Sequence, residues 1–361
     1  MLFPVEGDID VIHGPPSPAE AQGLTTELWR HKTSTHLVRL LGNIEKESLI
    51  NITETLLFGE PLEHSGIVVT PLFSSRDPVA GYITLDEALP RGLRITETSD
   101  AGSVPELTVV NPLDQDVLLY DGEELVGAKQ NRILNISVLI GAGAKLPIPV
   151  SCVEQGRWRH TSPDFDAARH ISHAHLRRRK AEMLAARPLA RGLAQGEVWD
   201  EVDAKQQRMG VHSPTGANRD TFEAYGERMR ALEDAFPLQP GQCGAVLAIG
   251  ADLCLDAVSR PDAFARLWPK LRAGYLLDAL ERLDQQPTHP ERITGFVDEV
   301  RDAVVTRGPS AGLGEDVRLR GPGVIGSGLE LDGEPIQLCA FTSRDGGRHA
   351  FGRIARPSLR R

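Results

Sequence analysis

YDGEELVGAKQNRILNISVLIGAGAKLPIPVSCVEQGRW, Tyr120–Trp158, is the stretch whose reading decides the fold. ILNISVLI (133–140) and IPVSCV (148–153) are rich in Val, Ile and Leu and bounded by turn residues, so both read as strands. Asp121-Gly122 is a hairpin-type dipeptide, and GAGAK (141–145) reads as a hairpin loop. Side chains two apart on a strand share a face. Leu134, Ile136, Val138 and Ile140 are apolar while Asn135 and Ser137 are not, so the even face is expected to be buried. Carried backwards, that parity puts Arg132, Gln130 and Glu124 on the same inward face as Ala128 and Val126. In the next strand Ile148 and Val150 set an even face that continues into Cys152 and Glu154. A bulge at Gly127 would shift the parity.

The text on either side agrees with a β-rich core. Upstream, GIVVTPLF, GYI, LRITET, ELTVV and DVLLY are further short strand signals. One helix interrupts them, where Thr84 and Glu87 form a capping box for TLDEAL. Strands so close in sequence favour an antiparallel sandwich or barrel, because a βαβ series needs helices between its strands. Downstream the pattern turns helical over residues 162–187, in GEVWDEVDAKQQRMG, and over residues 218–236. A β pair follows, GQCGAVLAIG with LCLDAVS, then helices over 261–285 and 289–306, then strands from Asp316. The expected class is α+β, an antiparallel β-sandwich or barrel-like core with a helical insertion or lobe. The expected divisions are an N-terminal extension (1–60), a β-rich core (61–160), the helical lobe (161–236) and a mixed segment completing the core (237–361). Within 1–60, residues 35–41 suggest a strand, and 45–58 fit helix and strand equally.

A chain of 361 residues with 25% charged and 40% hydrophobic residues has the composition of a globular protein with a real core. Its net charge of -10 argues against a broad grip on nucleic acid or on an anionic membrane. No signal peptide and no membrane helix is read, and four cysteines without a CxxC suggest free thiols in a reducing cytoplasm.

Charged groups on an inward face must be paired, because leaving one uncompensated costs several kcal/mol. One reading is structural: an Arg132–Glu124 or Arg132–Glu154 pair that sets strand register. The other is functional, and three chemistries fit it. Cys152 is a nucleophile activated by Arg132, Lys129 or Arg157. Alternatively Glu124 and Glu154 do acid/base work while Lys129 and Arg132 hold an anion. Or the cluster only binds a ligand, with Trp158 as a stacking face.

Other motifs rank lower. His170, His173 and His175 form HxxHxH on an expected helix, where His175 points away from the other two, so a three-ligand metal site is poor. LRRRK (176–180) reads as a solvated basic face. RGPSAGLGED (307–316) is Gly-rich but lacks a P-loop ending and reads as a tight loop.

At GEELVGAKQNR, IPVSCVEQGRW and YITLDEAL the chain resembles the domain family named for association with ADP-ribosylglycohydrolases and rhodanese-phosphatase proteins, from about Leu62 to about Phe341. The resemblance implies a link to NAD or ADP-ribose metabolism and carries no established activity. Its motif positions are Glu123, Glu124, Lys129, Gln130, Asn131, Arg132, Cys152, Glu154, Arg157 and Trp158. The resulting expectation is a hydrolase-like enzyme acting on an ADP-ribose-like or nucleotide-derived anionic small molecule. Glu124, Glu154 and Cys152 are its catalytic candidates, and Glu123, Lys129, Gln130, Asn131, Arg132, Arg157 and Trp158 its binding candidates. The alternative is a non-catalytic sensor or binding module. No cofactor is identified and no metal ligands are assigned. The expected partner is a small anionic ligand, with no membrane and no nucleic acid, in a possible homo-oligomer.

Overall fold

Period-two alternation builds most of the molecule, as a computed structural model covering residues 53, 55–78, 80–99, 102–186, 195–283 and 286–343 shows. The suggested strand at 35–41 lies outside the described residues. The first strands are β1 (Leu56–Phe58), β2 (Leu62–His64), β3 (Ile67–Ser74) and β4 (Tyr82–Thr84). Helix α1 (Leu85–Ala88) follows, and Glu87 accepts from the Thr84 amide at 3.0 Å and its hydroxyl at 2.9 Å, the cap expected from the sequence. Next come β5 (Arg94–Glu97), β6 (Glu106–Val110), β7 (Asp116–Leu119), β8 (Glu123–Gly127), β9 (Arg132–Leu134), β10 (Val138–Ile140), β11 (Lys145–Cys152) and β12 (Phe165–Ile171).

Four helices stand between β12 and the next β pair: α2 (Ala174–Ala186), α3 (Gln195–Met209), α4 (Asn218–Ala224) and α5 (Gly226–Glu233). The pair is β13 (Gly244–Ile249) with β14 (Asp252–Val258). Then come α6 (Pro261–Ala279), α7 (Pro290–Arg301), β15 (Val304–Pro309), β16 (Glu315–Arg320), β17 (Val324–Leu331) and β18 (Glu334–Thr342).

These strands form three sheets in an α+β fold. The nine-stranded sheet runs β1-β3-β13-β14-β18-β17-β16-β15, with β2 also on β3. Alternate residues serve its two faces. Val68, Leu72, Val246 and Leu255 pack with Ile293, Phe296 and Val300 of α7. Ile67, Val69, Leu247 and Cys254 pack with α6. Within α6, Phe264, Leu267, Leu271, Tyr275 and Leu276 are buried at the expected helical spacing. Each gains roughly 1.5–3 kcal/mol from burial. Together they outweigh the ~3 kcal/mol cost of Pro269 inside the helix. The other sheets, β10-β7-β4 and β12-β8-β9-β11-β6-β5, enclose one core that includes Ile83, Val117, Leu125, Leu134, Ile140 and Val150. All strand pairs are antiparallel except β4 with β7.

Several expectations are corrected. Residues 133–140 are two strands in two sheets, because the chain turns at Asn135–Ser137 and β10 leaves β9 to pair with β7. The helix expected over 162–187 begins only at Ala174. Before it, FDAARHI is strand β12, paired to β8, because tertiary pairing overrides the helix preference of its alanines. The helix expected over 218–236 breaks at Tyr225, and the one over 289–306 ends at Arg301 before β15. LRRRK is not a solvated face, since Arg177 and Lys180 are each 1% exposed. One expectation stands: RGPSAGLGED ends β15, makes its tight loop over residues 310–314 and begins β16. A side chain at Gly314, with φ +77°, would meet the Glu330 carbonyl at 1.9 Å, so only glycine fits there.

Candidate functional site

Register decides which motif residues meet. Leu125 opposes Arg132, and Arg132 opposes Cys152, so these three share a face. Glu124 opposes Ile133, and Ile133 opposes Ser151, so Glu124 lies on the other face. The expected convergence of Glu124 with Arg132 and Cys152 is therefore corrected: the sheet separates them. The cause is local. Gly127 has φ 130° and Ala128 φ 37°, so the strand is interrupted and parity does not carry from β9 back into β8. A Cβ on Gly127 would meet Ser162 Oγ at 2.4 Å and the Asp164 carbonyl at 2.7 Å, which reserves the kink for glycine.

On the Arg132 side the motif residues largely bind one another. Arg157 donates to the carbonyls of Ala128 (2.7 Å), Arg159 (3.0 Å) and Gly127 (3.1 Å) and to Asn131 Oδ1 (3.0 Å). It also pairs with Glu154 at 2.7 Å. The other Glu154 contacts are the Asn131 amide and the Thr215 hydroxyl, each at 3.0 Å. Burial opposes ionisation of Glu154, but the hydrogen bonds from Arg157 and Asn131 prevail and hold its pKa below the usual carboxylate value. A carboxylate held ionised in this way is a poor proton donor, so Glu154 braces the loop. Gln130 donates to the Glu154 carbonyl (3.0 Å) and accepts from Arg132 Nη1 (2.9 Å).

Arg132 and Cys152 are both 0% exposed. Burial pushes the Cys152 thiol up, with the Glu154 amide and Arg132 only partly opposing it, so the activated thiolate expected from sequence is not what this environment favours. Burial likewise lowers the Arg132 pKa, and Arg132 Nε and Nη2 have no hydrogen-bond partner. Trp158 is 49% exposed, and Lys129 Nζ and the Arg132 guanidinium lie 5.4 and 5.7 Å from its ring centre. Glu123 is buried elsewhere, accepting from the Tyr120 amide at 2.8 Å and from Lys270 at 2.9 Å.

The other face carries a different arrangement. Glu124 Oε2 accepts from His170 Nε2 at 2.9 Å and from Asn218 Nδ2 at 2.7 Å, while Oε1 is buried without a partner. Phe222 stacks on the His170 ring, with centres 3.6 Å apart and planes 10° apart. His170 and Phe222 line a cavity of about 670 Å³ between β12, α4, α5 and α6. Arg169, Arg219 and Arg230 stand around it with Asp166, Glu223 and Glu233. Arg219 is bound to Glu223, and Glu233 to Arg272, whereas no ion pair engages Arg169 or Arg230 among the described residues.

Sequence reasoning weighs His170 only as a metal ligand on an expected helix and passes over Asn218 and Phe222. Asn218 lies 94 residues from Glu124, so no local pattern joins them. The HxxHxH histidines separate, with His170 on β12 and His175 on α2, and no group of three or more His, Cys, Asp or Glu that could hold a metal occurs among the described residues. Nor is any helix among them long and apolar enough to cross a membrane.

A comparison with family profiles matches residues 55–341 to the ARG and Rhodanese-Phosphatase-superfamily-associated Protein (ARPP-1) domain. The match begins ahead of the Leu62 expected from the motifs and takes in β1. Searches of curated proteins and of solved structures found no match.

Proposed function

The chain belongs to the ARG and Rhodanese-Phosphatase-superfamily-associated Protein family, and from that premise we propose a hydrolase-like enzyme acting on an ADP-ribose-like or other nucleotide-derived anionic small molecule. The family name supports the ligand class. The observation that carries the chemistry is the buried Glu124 bonded to His170 at the wall of the 670 Å³ cavity.

In this reading a neutral His170 donates from Nε2 to Glu124, leaving Nδ1 to take a proton from water. Glu124 fixes the tautomer and stabilises the imidazolium that forms. Phe222 prevents the ring from turning. Arg169 and Arg230 hold the anionic part of the substrate at the rim. Of the catalytic residues expected from sequence, Glu124 keeps a role, while Glu154 and Cys152 do not.

ADP-ribose is the probe for the test. It is expected to raise the melting temperature of the full chain, and Arg169→Ala with Arg230→Ala should remove most of that shift. His170→Asn should retain binding and lose about 10²-fold or more in turnover. Hydrolysis undiminished in His170→Asn sinks the base assignment. A thermal shift untouched by the arginine changes sinks the site, and saturable binding without product makes the chain a binding module.

A further inference from the structure

We infer that Asn218 is a positioning residue for the Glu124–His170 pair, and that the SCVEQGRW segment is what sets it in place. Asn218 is 1% exposed and donates to the same Glu124 oxygen that receives His170. The opposite carboxylate oxygen has no partner, so this amide is what keeps one oxygen, and not the other, turned to the imidazole. Asn218 and Phe222 stand four apart on α4 and so share a helix face. One holds the carboxylate and the other stacks on the ring.

Helix α4 begins where it does because of the motif strand. The Asn218 amide donates to the Val153 carbonyl at 2.9 Å, and Ala217 bridges to Glu154. The Thr215 hydroxyl donates to Glu154 Oε1 at 3.0 Å, and the Gly156 amide to the Thr215 carbonyl at 2.7 Å. Motif residues from the Arg132 face thus reach the Glu124 face by way of residues 215–218. That gives Glu154 a role that its ionised, fully bonded state suits and acid/base catalysis does not. The Asn218 amide shares Glu124 Oε2 with the imidazole, so removing it leaves the charge of that oxygen to His170 alone. The other charged groups facing His170 across the cavity are Asp166 and Arg169 on β12, Arg219 and Glu223 on α4, and Arg230 and Glu233 on α5.

The catalytic consequence rests on His170 being the base, but the experiment needs no substrate. The imidazole signals of the ligand-free full chain are followed by NMR across pH, with His170→Asn identifying the His170 signal among the 11 histidines. Asn218→Ala is expected to raise the His170 midpoint by about half a pH unit or more, and Asn218→Asp, which sets a second carboxylate against Glu124, to raise it further. A folded Asn218→Ala whose midpoint stays within about 0.2 of the parent overturns the inference. If Asn218→Ala does not fold, Thr215→Ala decides, with a smaller upward shift expected and no shift overturning it. ADP-ribose bound without product would replace the hydrolase reading by a binding module without touching the titration result.

Discussion

Two clusters of buried charge flank strand β8, and they differ in what is left over. In the first, Arg177 binds Asp256 through two nitrogens, at 2.9 and 2.5 Å, and Asp121 through Nε at 3.2 Å. Lys180 reaches Asp121 at 2.5 Å and the Leu134 carbonyl at 2.6 Å. Tyr120 donates to Asp256 at 2.6 Å, and Tyr275 donates to it as well. None of the side-chain nitrogens or oxygens of these six residues is left without a partner. In the second cluster, Glu124 Oε1 and Asn218 Oδ1 are buried and unpaired, and the imidazole beside them borders a cavity. Burial of charge is common to both. Only the second cluster has a member, His170, that lines a cavity, and a ligand would meet that cluster through this ring. The first cluster ties β7, α2, β14 and α6 together and reads as structure.

The comparison can be broken from its largest expected effect downward. Arg177→Met leaves Asp256 without its cation, and should lower unfolding stability by about 3–5 kcal/mol in urea titration. A loss under about 1 kcal/mol would mean the closed cluster is not what joins those elements. Arg157→Ala removes the clamp on residues 127–131 and is expected to cost about 2–3 kcal/mol. If calorimetry finds the parent melting temperature instead, the motif does not work as a brace.

Glu201 sharpens the contrast, because its partners His175 and Arg208 are partly exposed. Burial opposes its ionisation, but the hydrogen bond from His175 and the charges of His175 and His173 hold its pKa down at about 2. A depressed carboxylate pKa adds stability above the ordinary value near 4.5, which is lost as pH falls toward about 2. Glu201→Gln should flatten that acid limb by on the order of 1 kcal/mol, measured as melting temperature against pH. An unchanged limb would place the acid sensitivity elsewhere. The smallest effect concerns thiols: Cys152, Cys243, Cys254 and Cys339 are all buried. Burial pushes Cys243 up to about 11 and Cys339 up to about 12. Iodoacetamide should leave the native chain essentially unmodified, and ligand-protected labelling of Cys152 would restore it as a nucleophile.

Local chemistry carried much of the fold in the sequence. The α1 cap, the strands from Ile67 to Leu119 and the apolar stripe of α6 depend on neighbours a few residues away, and they stand as read. The residues of the motif were legible too, but not their division between two faces. That division hangs on the turn at Asn135–Ser137 and the kink at Gly127 and Ala128, each of which breaks a parity argument at one residue. LRRRK shows the same boundary, because the partners that bury Arg177 lie 56 and 79 residues away.

By itself, then, the sequence determined an antiparallel β-rich chain with helices beyond Trp158, and a family-defining set of polar residues around β8 to β11. Only the tertiary structure decided that Glu124 turns from Arg132 toward His170, and that Glu154 holds a loop. The physical reason is range. Caps, turns and periodicity are short-range properties of neighbouring residues, whereas the partner of a buried carboxylate is chosen by whichever distant strand or helix the packing brings within hydrogen-bond reach.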